Sequence, residues 1–592
     1  METKKQLQAD QLPISQQCQA AKSQAVFDVP RDNQRRSANY KPSIWKHDFL
    51  ASLNSSYDKK EYRKEAEKLI KGVKGIFIET EDLRAKLELT DSIRKLGLSY
   101  HFEEEVKKAL DTIISTYKGN KYPFLRENDL YVTALCFRIL RLQGYQVSQD
   151  MFCGLMDEKG VTEKSSHENV RAMLELLEAS HLALECENIL QEAKAFTTET
   201  LKNTISRIND QENNAELSEH VVHALEIPTH WRVSWFDVKW QMKSYERGIN
   251  NHVHTLLLDL AKLNFNIVQA TLQKDLIELS RWWKNLGLTE KLSFARDRLV
   301  ESFVCTVGLA FQPQYKCLRK CLTKVVNFIL IVDDVYDLYG SLEELEQFTN
   351  AVDRWDVKET EQLPDCMKIC FQALYNTTCE IAKEIKTQNM NCKQVLPHLQ
   401  KVWADFCKSL FVEAKWYHTG YMPTFKEYLS NAWISSSGPL LLLHSFFSMP
   451  HEVGEEIIMS PDFLEKNQDL VYNISLIIRL CNDIGTSAVE QERGDAPSSI
   501  VCYMQEMKVS EDVARTHIQG MIAKTWQKIN KKCFTGDVPA ALFSFIDIAL
   551  NAARVAHSLY QAGDAFGVQV TDNKTQILSL LVEPVRPTLG TD

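Results

Sequence analysis

The sequence predicts an all-α protein. From about Asn39 onward, apolar residues recur at spacings of three and four, as in "VRAMLELLEASHLALECENILQEAKAF" at 170–196, and this spacing is typical of amphipathic helices. The alternation of apolar and polar residues that marks a half-buried strand is nearly absent. The 21 glycines and 16 prolines fall mainly between the helical segments. We therefore expect helical hairpins or barrels rather than a sheet.

The chain divides into three predicted regions. Its 592 residues are too many for one ordinary core. Residues 1–34 are rich in glutamine and include the acids Glu2, Asp10, Asp28 and Asp32. Organelle transit peptides are rich in arginine and serine and poor in acids, so this composition predicts a disordered tail on a cytoplasmic protein. The helical pattern breaks at "SYERGINNHVH", 244–254, and we place an N-terminal domain at 35–250 and a C-terminal domain at 251–592.

Composition excludes several classes of function. The net charge of −10 and the pI near 5.9 argue against a nucleic-acid partner, because phosphate backbones are bound by basic surfaces. The longest apolar runs are far shorter than the roughly 18 residues of a membrane span. An anionic substrate would therefore need metal ions or a few focused arginines. The 15 cysteines are odd in number and show no C-x-x-C spacing, so we expect reduced thiols and no zinc site.

Two adjacent aspartates end an apolar helix within "FILIVDDVYDLYG", 328–340. Asp333 and Asp334 follow the apolar run, and Asp337 comes three residues later. On a helix these spacings would place three carboxylates on one face. A buried carboxylate is costly unless it is paired, hydrogen-bonded or bound to a metal. The pattern therefore predicts hard divalent cations, Mg²⁺ above all, with a solvated acidic face on an ordinary helix as the alternative.

A second apolar helix repeats this design in "NISLIIRLCNDIGTSAVE", 473–490. Asn482, Thr486 and Glu490 are spaced four residues apart, so an amide, a hydroxyl and a carboxylate oxygen would line one face. These are again oxygen donors of the kind that Mg²⁺ prefers. Arg479 lies about one turn earlier on the same side. For Thr486 alone, a hydroxyl bonded back to a helix carbonyl is the alternative.

The segment "FARDRLVE" supplies positive charge. Arg296 and Arg298 are two residues apart, so they would diverge on a helix but could both point inward from a loop or a first helical turn. Guanidinium groups suit phosphate oxygens. Taken with the two acidic helices, they predict a pocket that holds a diphosphate between two metal-binding walls. An ordinary pair of surface arginines around Asp297 is the alternative.

Four motifs in this order resemble the plant terpene synthases of class I. "DDVYD" and "NDIGTSAVE" are similar to the two metal motifs of that family, and "RDR" to its upstream arginine motif. "RRSANYKPSIW" resembles the motif of two arginines, eight residues and a tryptophan, here Arg35, Arg36 and Trp45. The resemblance covers essentially the whole chain from Arg35. It implies a class I terpenoid synthase helical bundle behind an N-terminal α-barrel domain, and because no D-x-D-D motif occurs, the barrel would have no active site of its own.

The resemblance also implies roles for individual residues. It implies three Mg²⁺ ions, with Mn²⁺ as a substitute: two on Asp333 and Asp337 with Asp334 in support, and one on Asn482, Thr486 and Glu490. Arg296, Arg298 and Arg479 would hold the departing diphosphate, which Asp333, Asp337 and Asn482 would also bind through the metals.

The resemblance also implies which residues surround the substrate. Tyr560 and Asp564, in "SLYQAGDAFG", match positions that line the pocket, and the break at "SSSGP", 435–439, resembles a kinked helix beside the substrate. Arg35, Arg36 and Trp45 would form an N-terminal cap.

The activity implied is that of a magnesium-dependent carbon–oxygen lyase acting on a prenyl diphosphate. Many cyclising members carry tryptophan seven positions after the second arginine of "RDR", where this chain has Cys305, and this difference favours an acyclic product. Local segments such as "TNAVDRWD" resemble plant members that convert farnesyl diphosphate into acyclic α-farnesene. The alternatives are a monoterpene synthase that makes ocimene or a related product from geranyl diphosphate, and a catalytically silent protein that only binds prenyl diphosphates. We expect a monomer.

Overall fold

The computed structural model is built mainly from α-helices. It describes residues 35, 38, 40–117, 129–153, 167–208, 215–247, 252–385, 392–449, 467–534, 542–561, 563–567 and 571–587. These residues contain no β-strand, which confirms the all-α prediction. The predicted tail at 1–34 lies outside them. Within the same ranges no helix combines the length and the apolar character needed to cross a membrane.

The first set of described α-helices occupies the N-terminal region. It comprises α1 (His47–Ala51), α2 (Lys60–Glu79), α3 (Leu83–Lys95), α4 (Glu103–Tyr117), α5 (Leu130–Leu142), α6 (His167–Ser180), α7 (Asn188–Ile208), α8 (Ala215–Glu226) and α9 (Ser234–Arg247). A buried ion network joins three of these helices, because the guanidinium of Arg138 on α5 donates to Asp91 on α3 at 2.8 Å and also to Glu175 on α6. These paired charges fix the register of α5 against its neighbours.

The second set continues to the C-terminus. It comprises α10 (His252–Leu286), α11 (Leu288–Lys291), α12 (Leu299–Leu309), α13 (Lys316–Asp334), α14 (Leu342–Arg354), α15 (Asp365–Glu384), α16 (Cys392–Thr419), α17 (Phe425–Ser435), α18 (Gly438–Ser448), α19 (Gln468–Arg493), α20 (Ser499–Met507), α21 (Glu511–Phe534), α22 (Phe543–Tyr560) and α23 (Thr571–Leu581). Every cysteine that the structure describes is a free thiol.

Side-chain caps determine where two of the helices beside the candidate site begin. Ser341 and Glu344 form a capping box at the start of α14, and Thr424 and Glu427 form another at the start of α17. In each box the hydroxyl accepts from the third backbone N–H while the glutamate accepts from the cap residue, so two otherwise unpaired donors are satisfied. The caps fix helix starts in polar connections where apolar packing contributes little.

One apolar core extends through both sets of helices. It contains buried side chains from Trp45 near the N-terminus to Leu581 at the end of α23. The long helix α10 packs against α2 and α9 of the first set and against α12 and α13 of the second. The predicted break at 244–254 coincides with the end of α9 at Arg247 and the start of α10 at His252. The domain boundary at 250/251 stays a prediction.

Aromatic stacking holds the N-terminal helices against α21 and α22. The ring of Trp231 stacks on Trp526, with centroids 5.7 Å apart, and on His557 at 5.2 Å. The Trp526 indole N–H donates to Nε2 of His557 at 3.0 Å, and a ring nitrogen of His230 lies 2.9 Å from Oδ1 of Asn530. This flat aromatic contact joins segments that are about 300 residues apart in sequence.

Candidate active site

The first wall of the site is the C-terminal end of α13. The apolar residues before Asp333 are buried except for Ile329, which is half-buried. Helix α13 passes at Asp334 into a single π-helical turn, Val335–Tyr339, that carries Asp337. A π-turn inserts an extra residue per turn and often occurs at functional positions. The turn is anchored from behind, because the hydroxyl of Tyr336 lies 2.7 Å from that of Thr349 on α14.

The structure separates the three aspartates that the sequence places on one face. The side chain of Asp333 is 32% exposed, whereas that of Asp334 is fully enclosed. Arg296 accounts for this burial: its backbone N–H donates to Asp334 at 2.8 Å, its Nε at 3.0 Å, and its Nη2 donates to Asp333 at 2.6 Å. Burial opposes the charge of Arg296, but Asp334, Tyr40 and Asp333 together raise the pKa of the guanidinium well above its usual value. Asp334 therefore orients Arg296 and does not face the cavity as an open ligand.

The second wall is the C-terminal half of α19. Asn482, Thr486 and Glu490 follow one another along this helix, as predicted from their spacing. The hydroxyl of Thr486 donates to the backbone carbonyl of Asn482 at 2.9 Å, which is the alternative considered for it. The lone pairs of the hydroxyl oxygen are not used in this bond, so the oxygen can still bind a cation. Burial, followed by the neighbouring charge of Asp483, raises the pKa of Glu490 to about 8.

Arg479 lies between the second wall and the break in the neighbouring helix. Helix α17 ends at Ser435 and α18 begins at Gly438, with Ser437 in a left-handed conformation at a φ of 63°. The guanidinium of Arg479 donates to the Ser435 hydroxyl at 2.9 Å and to Oδ1 of Asn482 at 3.4 Å. The break thus gives Arg479 partners on two helices and holds it beside the metal-ligand candidates.

A carboxylate that the sequence analysis did not single out, Glu413 on α16, completes the group of acids. It accepts from the Ser435 hydroxyl and from Nδ2 of Asn431 at 3.1 Å. Burial first, and then Asp333, Asp495 and Glu413, raise the pKa of Asp337 well above its usual value. Charges from both walls therefore act on the same carboxylate. Glu413 lies in the middle of an ordinary amphipathic helix, so only a comparison of helix packing could have identified it.

Arg298 is placed differently from Arg296 and Arg479. It lies at the end of the non-helical segment that contains Arg296, immediately before α12, so the prediction of a loop or first turn is confirmed. Its guanidinium donates to backbone carbonyl oxygens, those of Asp297 at 2.8 Å and Phe566 at 2.8 Å being the shortest contacts. Its predicted role as a diphosphate ligand stays a prediction.

Tyr560 and Asp564 lie near each other at the end of α22. Burial, followed by the charge of Asp564, raises the pKa of Tyr560. The backbone of Tyr560 packs closely on α19 at Gly485, where an added Cβ would come within 2.8 Å of the Tyr560 carbonyl oxygen. Asp564 accepts from the backbone N–H of Phe566 at 2.9 Å. Cys305, buried on α12, is close enough to Tyr560 to affect its pKa.

Two of the three cap residues connect the N-terminal segment to the C-terminal set of helices. Arg35 makes a bidentate pair with Glu344 at 2.9 and 3.0 Å and lies over the ring of Tyr339. The indole N–H of Trp45 donates to buried Glu301 at 3.0 Å. Arg36 lies outside the described residues. Tyr40, not noted from the sequence, joins this segment to the site, because its ring lies 5.0 Å from the Arg296 guanidinium carbon.

The donor set fits divalent cations of the Mg²⁺ type. Among the described residues, no three carboxylate, imidazole or thiol side chains form a preformed cluster for a metal ion. The oxygen donors instead come in small groups from separate walls. Burial, followed by neighbouring acids, raises the pKa of Asp337 and of Glu490, and a bound cation would offset both effects. Mg²⁺ is usually held by one or two carboxylates, several waters and the phosphates of a substrate, so this arrangement suits it.

Two family models match the chain. The model described as "Terpene synthase family, metal binding domain" matches residues 284–528, and the one described as "Terpene synthase, N-terminal domain" matches residues 44–225. The chain belongs to the terpene synthase family. The resemblance drawn from the four motifs is thereby confirmed, and this terpene synthase carries a metal-binding domain in the region where both walls lie.

Similar proteins agree over nearly the full length. The terpene synthase is 58% identical to an (E,E)-alpha-farnesene synthase of Malus domestica, over 99% of this chain and 100% of that protein. It is 56% identical to an alpha-farnesene synthase of Ricinus communis, over 93% of this chain and 96% of that protein.

Solved structures confirm the predicted fold class. A limonene synthase with 2-fluorolinalyl diphosphate has a TM-score of 0.86 at 38% identity, over 93% of this chain and 100% of that one. Isoprene synthase from grey poplar leaves, in complex with three Mg²⁺ ions and dimethylallyl-S-thiolodiphosphate, has a TM-score of 0.80 at 40% identity, over 92% and 100% of the two chains.

Proposed function

We propose that this terpene synthase converts farnesyl diphosphate into acyclic α-farnesene. The geometry that carries the proposal is a pair of acidic walls, α13 and α19, with the guanidinium groups of Arg296 and Arg479 beside them. Such a site suits a substrate with a diphosphate at one end. The choice of product is supported by the 58% identity to an (E,E)-alpha-farnesene synthase over almost the whole chain.

We infer that Asp333 and Asp337 would hold metal on the first wall and that Asn482, Thr486 and Glu490 would hold it on the second. Asp334 would support the first wall through Arg296. A count of three ions is in keeping with the grey poplar isoprene synthase structure, whose complex contains three Mg²⁺ ions. Once bound, the cations would neutralise negative charge that develops on the leaving diphosphate. Mn²⁺ could take the same oxygen donors.

The residues of the chain would contribute orientation, charge and exclusion of water. Arg296, held by Asp334 from behind, presents one nitrogen beside Asp333, where an incoming phosphate oxygen would compete for it. Arg479 can reorient from Ser435 and Asn482 towards the same group. Donors placed in advance, where charge develops, stabilise the transition state more than the ground state. The buried side chain of Cys305 is small and has no ring face to stabilise a cyclic cation, which suits an acyclic product.

Two alternatives have some support. A monoterpene synthase that uses geranyl diphosphate would agree with the tandem arginines Arg35 and Arg36, because this motif is typical of synthases that make ten-carbon products. It would also agree with 44% identity to the chloroplastic gamma-terpinene synthase of Citrus limon. The higher identity to the two farnesene synthases favours the fifteen-carbon substrate. A silent binding protein has less support, because binding alone would not require acids that raise one another's pKa.

We further propose a cytoplasmic, monomeric enzyme. The acids among residues 1–34 support this location, because organelle transit peptides are poor in acids. Imaging of the full chain with a C-terminal fluorescent fusion, together with the mass of the purified protein by light scattering, tests both parts.

The deciding experiment is a product analysis. Purified protein is incubated with Mg²⁺ and, separately, with farnesyl and geranyl diphosphate, and the hydrocarbons are separated by gas chromatography. We expect α-farnesene as the main product from farnesyl diphosphate. Mainly cyclic sesquiterpenes, or turnover of geranyl diphosphate alone, would disprove the proposal, and binding without any product would favour the silent protein.

A further inference from the structure

Arg298 holds two distant segments of the chain together. It is fully buried, and its guanidinium donates to the carbonyl oxygens of Phe566 at 2.8 Å, Gly567 at 3.3 Å and Lys41 at 3.3 Å, as well as to that of Asp297 at 2.8 Å. Lys41 belongs to the N-terminal segment before α1, and Phe566 and Gly567 to the turn after α22. We call this set of four hydrogen bonds the carbonyl clamp.

The clamp uses most of what a guanidinium can offer. An arginine has five N–H donors, and four hydrogen bonds leave little free for phosphate oxygens. Arg296 and Arg479 differ, because their partners include the carboxylate and amide oxygens of the two walls. A planar fork that reaches four separate carbonyl groups also has a shape that lysine cannot copy.

The clamp lies where the active site adjoins a second cavity. Lys41 and Gly567 both line a cavity of about 610 Å³, together with Tyr40 and Asp564. The same cavity is bordered by Gly485, Val489 and Arg493 on α19, one residue to the side of the metal-ligand series. Polar side chains among its lining residues, such as Asn573 and Gln576, can hold water there. The cavity thus borders both the clamp and the helix that carries the metal-ligand candidates.

We propose that Arg298 is a positioning residue that ties the N-terminal segment to the 563–567 turn and closes the active site against water from this cavity, rather than a ligand of the diphosphate. This inference rests on the proposed function. In the normal reaction the C–O bond breaks, its electron pair leaves with the diphosphate, and the cation loses a proton to give the hydrocarbon. With the clamp broken, the oxygen of a water molecule adds to the cation and the water loses a proton, which gives a prenyl alcohol.

The test compares four variants with the wild-type full chain. Arg298→Ala removes the clamp and the charge, and Arg298→Lys removes the fork but keeps the charge. Arg296→Ala serves as the control for lost phosphate contacts. Gln576→Ala, which lines the same cavity without contacting the clamp, serves as the control for a change in the cavity lining.

Three measurements are made on each variant. The first is the affinity for inorganic diphosphate with Mg²⁺ by calorimetry. The second is the share of prenyl alcohol among the products formed in ¹⁸O-labelled water, in which only capture of the cation by water places the label in the alcohol. The third is hydrogen exchange of the peptides that contain Lys41 and Phe566, which requires no turnover.

We expect both Arg298 variants to bind diphosphate within about threefold of wild type, and Arg296→Ala to bind it at least about tenfold more weakly. The labelled alcohol share should rise at least about fivefold in Arg298→Lys and Arg298→Ala, with faster exchange in both peptides. Gln576→Ala should match the wild type. The inference is overturned if Arg298→Ala loses as much diphosphate affinity as Arg296→Ala, if Arg298→Lys behaves as wild type, or if exchange and alcohol share both stay unchanged.

The outcome is distinguishable from a failure of the proposed function. A wild type that makes another terpene would refute α-farnesene as the product, but the label would still report water capture of whichever cation forms. A wild type with no turnover would leave the calorimetry and the exchange measurement to decide whether Arg298 binds diphosphate or holds the two segments.

Discussion

Replacing Arg296 by alanine would leave a fully buried carboxylate without its partner. Asp334 is enclosed and receives the backbone N–H, Nε and Nη2 of Arg296, and the substitution removes both side-chain donors. Breaking a buried pair in this way costs about 3–5 kcal/mol of the free energy of unfolding. We therefore expect Arg296→Ala to lower stability as well as turnover.

The loss should depend on pH with a definite sign. Burial, opposed by Arg296, already raises the pKa of the Asp334 carboxyl in the wild type, and loss of the guanidinium raises this pKa further. The penalty of the variant is complete above its own raised pKa and is lost as the pH falls below the pKa of the wild type, where the carboxyl is protonated in both folded proteins. The difference in unfolding free energy from wild type should therefore be smaller at pH 5 than at pH 8.

Urea unfolding followed by circular dichroism at pH 8 and pH 5 measures both quantities. The double variant Arg296→Ala/Asp334→Asn is the matched control, because it removes the charge along with its partner and should recover at least about half of the lost stability. The reasoning is refuted if Arg296→Ala is within about 1 kcal/mol of wild type at pH 8, or if the double variant is no more stable than the single one.

Three further expectations concern turnover, acid stability and product. Asp333→Ala should abolish turnover, because it removes a proposed metal ligand. The helical circular dichroism should stay unchanged, because Asp333 is partly exposed and carries no packing role. A loss of helix, or near-normal activity, would contradict the metal role of Asp333. Burial lowers the pKa of His444 to about 4, so between pH 7 and pH 5 the unfolded chain binds a proton at this residue and the folded protein does not. The free energy of unfolding of the wild type should therefore fall by about 2 kcal/mol over this range because of His444. Urea unfolding of His444→Gln should show a smaller fall. Cys305→Trp should raise the ratio of cyclic to acyclic products by about five- to thirtyfold, because a buried ring face stabilises cations by about 1–2 kcal/mol. Gas chromatography of the hydrocarbons measures this ratio. An active variant with an unchanged product profile would show that another wall of the pocket controls the fold of the substrate chain.

The sequence allowed prediction of features that repeat along one helix. The apolar spacing that leads into Asp333 and into Asn482 reflects a face packed against the core, and both helices form where that spacing predicts them. The π-turn after Asp334 has no such signal, because it depends on how Tyr336 packs against α14. The spacing therefore identified the acids but not that Asp334 would turn away from the cavity.

Contacts between distant segments were beyond the reach of the sequence. Glu413 reaches the site only because α16 packs beside the first wall, and its local sequence resembles any amphipathic helix. The partners of Arg298 are backbone carbonyls that lie 257 and 268 residues away. Every residue has a backbone carbonyl, so the residue type does not indicate which carbonyl groups will accept hydrogen bonds from the Arg298 guanidinium. The motif located Arg298 correctly, but its contacts depend on where both chain ends lie.

The continuous core has a consequence for synthesis of the chain on the ribosome. Trp45 is covered only when Glu301 and its helix are present, and Trp231 only when Trp526 and His557 have been made. At about 5–20 residues per second, a chain of 592 residues takes roughly half a minute to two minutes to complete. For much of that time the N-terminal helices present aromatic surface with nothing to cover it. We expect chaperones that hold unfinished chains to bind this aromatic surface, which lies in the set of helices that carries none of the proposed metal ligands.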